Sequence, residues 1–116
     1  MTRFMIFALL IAAPVQAADW PVKPGDVPLS PEELEALEGR TLTFYDDGQS
    51  KYSAGGAYSY TYASGQSAFG TYSIAEDGSI CIAYRNGFSR CDLYVRSGDR
   101  LILIDEKGDR YPVRPE

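Results

Sequence analysis

The chain contains no histidine and only two cysteines, and its basic residues (11) are outnumbered by acidic ones (16). Without histidine, the Ser-His-Asp and Cys-His arrangements of nucleophilic catalysis are excluded, as is any metal site built on imidazole. Two cysteines are too few for a thiolate metal cage, so neither a metal nor a cofactor is expected. No glycine-rich loop has the spacing that cradles phosphate. A formal charge of −5 with no basic stripe argues against a nucleic-acid partner. No apolar run is long enough to span a bilayer.

What is present begins with MTRFMIFALLIAAPVQAADW. Arg3 supplies a short positive region, Phe4 to Ala13 an apolar run, Pro14 a helix break, and Val15-Gln16-Ala17 the small residues that a signal peptidase reads. A buried N-terminal helix would need a polar face, and this stretch has none. Residues 1–17 are therefore expected to be a secretory signal, bacterial in its brevity and cleaved at about Ala17/Ala18. No cysteine near that point offers a lipid anchor. The processed chain is expected to be periplasmic or secreted, without a transmembrane anchor, and one unit more acidic once Arg3 has left.

In that oxidising setting, Cys81 and Cys91 read as a disulfide rather than a metal clip or a redox pair. The residues between them, IAYRNGFSR, read as a hairpin. Two registers are open. A two-residue Asn86-Gly87 turn pairs Arg85 with Phe88 and sets Ile82 opposite Cys91. A three-residue loop, Arg85-Asn86-Gly87, bulged at Gly87, pairs Tyr84 with Phe88 and sets Cys81 opposite Cys91, where side chains are close enough to bridge.

Residues 18–29, with Pro21, Pro24 and Pro28, are expected to be an extended, irregular lead-in, with Trp20 docking on the body as packing. Residues 30–116 read as a single β-rich domain. In SPEELEALEGR, Ser30 is an N-cap, Pro31 a first helical residue and Glu33 the partner of a capping box. The expected helix, 30–38, presents Leu34 and Leu37 and ends at Gly39. From residue 40 onward the pattern has period two. About seven short strands, each followed by a turn, predict a mainly β fold: an antiparallel meander curled into a small barrel or half-barrel, with the helix plugging one end or covering one face. Residues 48–57, GQSKYSAGGA, read as a loop. Apolar residues on both sides of Ile80–Tyr84 suggest that this hairpin is covered on two faces.

Chemistry is sparse. Asp46-Asp47, Glu76-Asp77 and Asp105-Glu106 each sit at a turn, and neighbours on a strand point to opposite faces, so the members of a pair do not converge on a substrate. They read as solvated turn acids. DDGQS and DEKGD resemble calcium loops only weakly, lacking the alternating ligands and the closing glutamate. Tyrosine is the unusual residue. Tyr58, Tyr60 and Tyr62 share one strand face, with Tyr72 and Tyr84 as candidate neighbours. They read either as an aromatic core ladder or as a binding face with hydrogen-bonding tips. Arg85, at the hairpin tip, and Arg90 are candidates for a cationic rim.

The organisation resembles small secreted bacterial proteins of uncharacterised families. The resemblance rests on the helix ending Leu34 to Gly39, the pair Gly70 and Tyr72, the turn Asp77-Gly78 leading to Cys81, and the strand Cys91 to Val95. It implies a periplasmic β-domain and carries no catalytic residue over. The favoured expectation is a non-enzymatic module that binds an envelope protein or small ligand through its tyrosines. The alternative is an inhibitor of an exported hydrolase, acting through Ser50–Ala57 or the Arg85 tip. An enzyme running on carboxylates or tyrosine alone is the least favoured.

Overall fold

The computed structural model describes residues 20–115; the expected signal segment, residues 1–17, lies outside them. Among these residues nine strands and one α-helix follow in order: β1 (Asp26–Pro28), α1 (Pro31–Glu35), β2 (Arg40–Thr43), β3 (Gln49–Tyr52), β4 (Ala57–Thr61), β5 (Ser67–Ile74), β6 (Ile80–Tyr84), β7 (Ser89–Ser97), β8 (Arg100–Ile104) and β9 (Arg110–Pro112). Strands β2 to β9 pair antiparallel in sequence order, and the sheet curls into a half-barrel. The short β1 pairs with β7, on the edge that β8 leaves open.

One turn chemistry builds the meander. In six hairpin connections the first loop residue takes a hydrogen bond from the residue three on and gives one to the residue four on, as in Phe44–Gly48, Tyr62–Gln66 and Tyr84–Phe88. The fourth residue of each is left-handed, which glycine supplies everywhere except at Asp47 (φ 70°). At the cysteine hairpin this selects the bulged register. Tyr84 N–H donates to Phe88 (2.8 Å), Cys81 stands opposite Cys91, and the two form a disulfide.

The helix starts as its cap dictates, with Ser30 Oγ accepting from Glu33 N–H and the Glu33 carboxylate accepting from Ser30 N–H. It is shorter than expected: beyond Glu35 the chain continues in turns, where Leu37 N–H bonds Leu34 and Glu38 N–H bonds Glu35. So short a helix holds only through tertiary contact. Leu34 and Leu37, together with Leu29, supply that contact by plugging one end of the half-barrel above Tyr52 and Tyr94.

The strand count exceeds the expected seven for two reasons. The lead-in, expected to be irregular, contributes β1 because Arg110 grips Asp26 with two bonds of 2.9 Å. The expected loop 48–57 contributes β3, whose polar composition hides an alternation: Ser50 and Tyr52 point inward and are buried, while Gln49 and Lys51 face water. Two-sided burial also falls on a different strand. On β6, Ile80 and Ile82 are buried but Ala83 is exposed. It is β7 and β8 that are covered twice. Tyr94 and Leu103 face the main core, whereas Leu93, Val95, Ile102 and Ile104 form a second cluster under Trp20. Trp20 docks as expected, and its indole N–H also reaches Asp77 (3.1 Å).

The two ends of the meander, β2 and β9, meet at one end. Phe44 bridges to Val113, and Arg114 N–H donates to Thr43 (2.7 Å). The Arg114 guanidinium then bonds the carbonyls of Phe44 and Tyr45 and the Asp47 carboxylate. Replacing both cysteines by serine, Cys81→Ser with Cys91→Ser, should lower stability by about 2–3 kcal/mol, the chain-entropy value for so short a loop. Urea unfolding of the oxidised protein against the double variant measures it.

Candidate functional site

The strands run between two ends. The helix and lead-in cover one; at the other, the loops 44–48 and 105–109 frame an open groove of about 420 Å³. Its apolar walls are Phe44, Leu103 and the rings of Tyr60, Tyr62 and Tyr111, and its polar groups include Asp46, Arg90, Asp92 and Asp105.

The tyrosine row that runs along β4 and one residue past its end crosses two environments. Tyr58 is 2% exposed and Tyr62 52% exposed, so the strand carries its aromatic face from the core out to the groove mouth. At the inner end each hydroxyl has a partner: Tyr58 shares a hydrogen bond with Ser50 (2.8 Å) and Tyr52 one with Tyr94 (2.7 Å). The core-ladder reading therefore applies to Tyr58. Tyr84 packs edge-on against it, and Tyr72 lies edge-on to Tyr52 while donating to the Ser53 carbonyl. Tyr60 and Tyr62, in edge contact at 4.9 Å, line the groove. Tyr60 reaches across to the loop 44–48, where its hydroxyl lies against the Gly48 backbone, and a Cβ on Gly48 would collide with it. Glycine is needed at that position for close approach, since the left-handed residue of the loop is Asp47.

The expected cationic rim divides. Arg85 lies away from the groove, with its guanidinium over the exposed ring of Phe69 (5.4 Å). Arg90 lies in it, between the rings of Tyr60 and Tyr84 at 5.8 and 5.9 Å, with Nε donating to Asp92 Oδ2 at 3.1 Å. Asp92 was not among the candidate residues. The available signal was its spacing, since residues 90, 92 and 94 share one face of a strand, and Tyr94 is core. Its side chain is 1% exposed, and Oδ1 has no hydrogen-bond partner.

Burial pushes the Asp92 pKa up to about 6. The Arg90 charge opposes that rise, while Asp105 and Glu106 add to it. Burial works against the Arg90 charge, but Asp92 together with Tyr58, Tyr84 and Tyr52 outweighs it and the guanidinium stays protonated. The turn acids behave as expected within their loops: Asp46, Asp77 and Asp105 each accept backbone N–H groups. They are not all remote from one another, however. Asp46 and Asp105, from different pairs, line the same groove because the end strands meet beside it.

Among the described residues no group of three acidic or cysteine side chains is arranged to hold a metal ion, and no helix is long and apolar enough to cross a membrane. The described residues form a small disulfide-bonded half-barrel with an aromatic, acid-rimmed groove. No family model, curated protein or solved structure matches it.

Two measurements check this geometry. The folded Asp92 holds its proton more tightly than an ordinary carboxyl at 3.8, so its contribution is most favourable in acid and is lost as pH rises through about 6. Relative to Asp92→Asn, the wild type should lose stability across that window, by on the order of 3 kcal/mol, in urea titrations at stepped pH. Separately, Tyr52→Phe should cost about 1–3 kcal/mol by stranding the Tyr94 hydroxyl, and adding Tyr94→Phe should recover part of it.

Proposed function

We propose that this chain is an exported, non-enzymatic binding module of the cell envelope that holds a small ligand in the groove at the open end of its half-barrel. The observation that carries this reading is the placement of Tyr60 and Tyr62. Their rings leave the packed core and line a cavity of about 420 Å³, which falls in the range of small-molecule sites at barrel mouths. Such a cavity admits a single ring with a short polar tail. Phe44 and Leu103 supply an apolar wall for the body of the ligand, and Arg90 and Asp92 supply fixed polar groups at its floor. The Cys81–Cys91 disulfide supports an oxidising compartment.

The module reading assigns no nucleophile. Both cysteines are bridged, and burial raises the pKa values of Tyr52, Tyr58 and Tyr94, which keeps their phenols protonated and leaves no phenolate to act as base or nucleophile. The inhibitor reading has less support at Ser50–Ala57, where Ser50 and Tyr52 are buried in β3, and rests on the Arg85–Phe88 tip alone.

Native mass spectrometry of the protein isolated from its own compartment tests the module reading. A retained small-molecule mass is expected, and it should fall by about tenfold in occupancy on Tyr60→Ala, with the fold intact by circular dichroism. A stoichiometric protein in place of that mass would instead support the inhibitor reading.

A further inference from the structure

The groove is not electrically neutral, and one of the carboxylates lining it, Asp92, has a buried oxygen with no hydrogen-bond partner. Four carboxylates line it, Asp46, Asp92, Asp105 and Glu106, against two cations, Arg90 and Lys107. Arg90 is committed internally: its Nε holds Asp92 Oδ2, and its guanidinium is sandwiched between Tyr60 and Tyr84. The field that a ligand meets is therefore negative. Asp92 Oδ1, on a side chain 1% exposed, lacks any hydrogen-bond donor. A buried acceptor left in this state costs folding free energy that a donor arriving with a ligand would recover.

We propose that the ligand of this groove carries an amine or ammonium group, which seats against Asp92 Oδ1 beneath the aromatic wall. The inference rests on the binding reading above and adds the chemical class of the ligand. Three observations converge on it. The unpaired oxygen accepts and cannot donate while ionised. The acidic rim favours a cation over an anion. The rings of Tyr60, Tyr62 and Tyr111 also suit a cation, and Tyr60 already holds one face toward the Arg90 guanidinium. A metal ion fits less well, because no three of these acids are grouped as ligands among the described residues.

The test compares head groups on one body. Phenethylamine, phenethyl alcohol and hydrocinnamate share a ring and a two-carbon chain, and differ in carrying a cation, a neutral hydroxyl and an anion. Each is titrated into the purified, disulfide-bonded protein and followed by amide and ring resonances of Tyr60, Tyr62 and Tyr111. The amine is expected to bind about tenfold or more tighter than the alcohol, with hydrocinnamate weakest. Asp92→Asn should remove the advantage of the amine while leaving alcohol binding in place. Should that variant fail to fold, the ranking on the wild type decides alone. Equal binding of amine and alcohol, or preference for hydrocinnamate, overturns the cation inference and leaves the groove as a binding site. No response at these residues to any of the three, at millimolar concentration, overturns both.

Discussion

The organisation of this molecule depends on the contact between its first and last sheet strands. A meander of eight short strands has two unpaired edges, each a row of backbone groups seeking partners. Here the edges converge at one end, where Phe44 bridges Val113 and Arg114 caps three carbonyls of the opposite strand and its turn. That closure places the 44–48 loop opposite the 105–109 loop, so Asp46 comes to share a space with Asp105 and Tyr111. Without it, Phe44 and Val113 would lie at opposite margins of an open sheet and the groove would have one wall.

The interior is filled by tyrosine to an unusual degree. Large rings close the half-barrel with few residues, and their hydroxyls are reconciled with burial by bonding to one another or to Ser50. Gly70 makes room for this arrangement. It lies between Tyr58 on one neighbouring strand and Tyr84 on the other, and a side chain there would strike the β6 backbone. Among the described residues one buried side-chain polar atom is left without a partner, Asp92 Oδ1, and Asp92 lies where the packed interior gives way to the groove. Core and groove thus meet on β7, whose residues 90, 92 and 94 pass from groove to core while 93 and 95 are sealed beneath Trp20.

Much of the fold was legible in the chain because its signals are local. The capping box at Ser30, the turn glycines and the period-two stretches each involve residues a few positions apart, and each formed as expected. The disulfide was legible for the same reason, although the hairpin left two registers open, of which the bulged loop sets Cys81 opposite Cys91. Strand β3 was missed because its inward residues include Ser50, whose burial makes sense only with the Tyr58 hydroxyl beside it. Strand β1 was missed because its anchor, Arg110, is 84 residues away.

The site was legible only in part. Alternation placed Tyr58, Tyr60 and Tyr62 on one face, and that was correct. It could not say that burial declines along the row from Tyr58 to Tyr62, because exposure depends on which strands curl over which residues. Nor could it separate Arg85 from Arg90: both flank one hairpin, but one stacks outside on Phe69 and the other is drawn inward by Asp92. The sequence by itself determined turn positions, much of the strand alternation, the helix start and the cysteine pairing, all governed by short-range backbone geometry. Only the tertiary structure decided which acids share a groove, which tyrosines remain accessible and which carboxylate is stranded. Those properties are set by contacts between residues far apart in the chain, where desolvation and charge are felt through space.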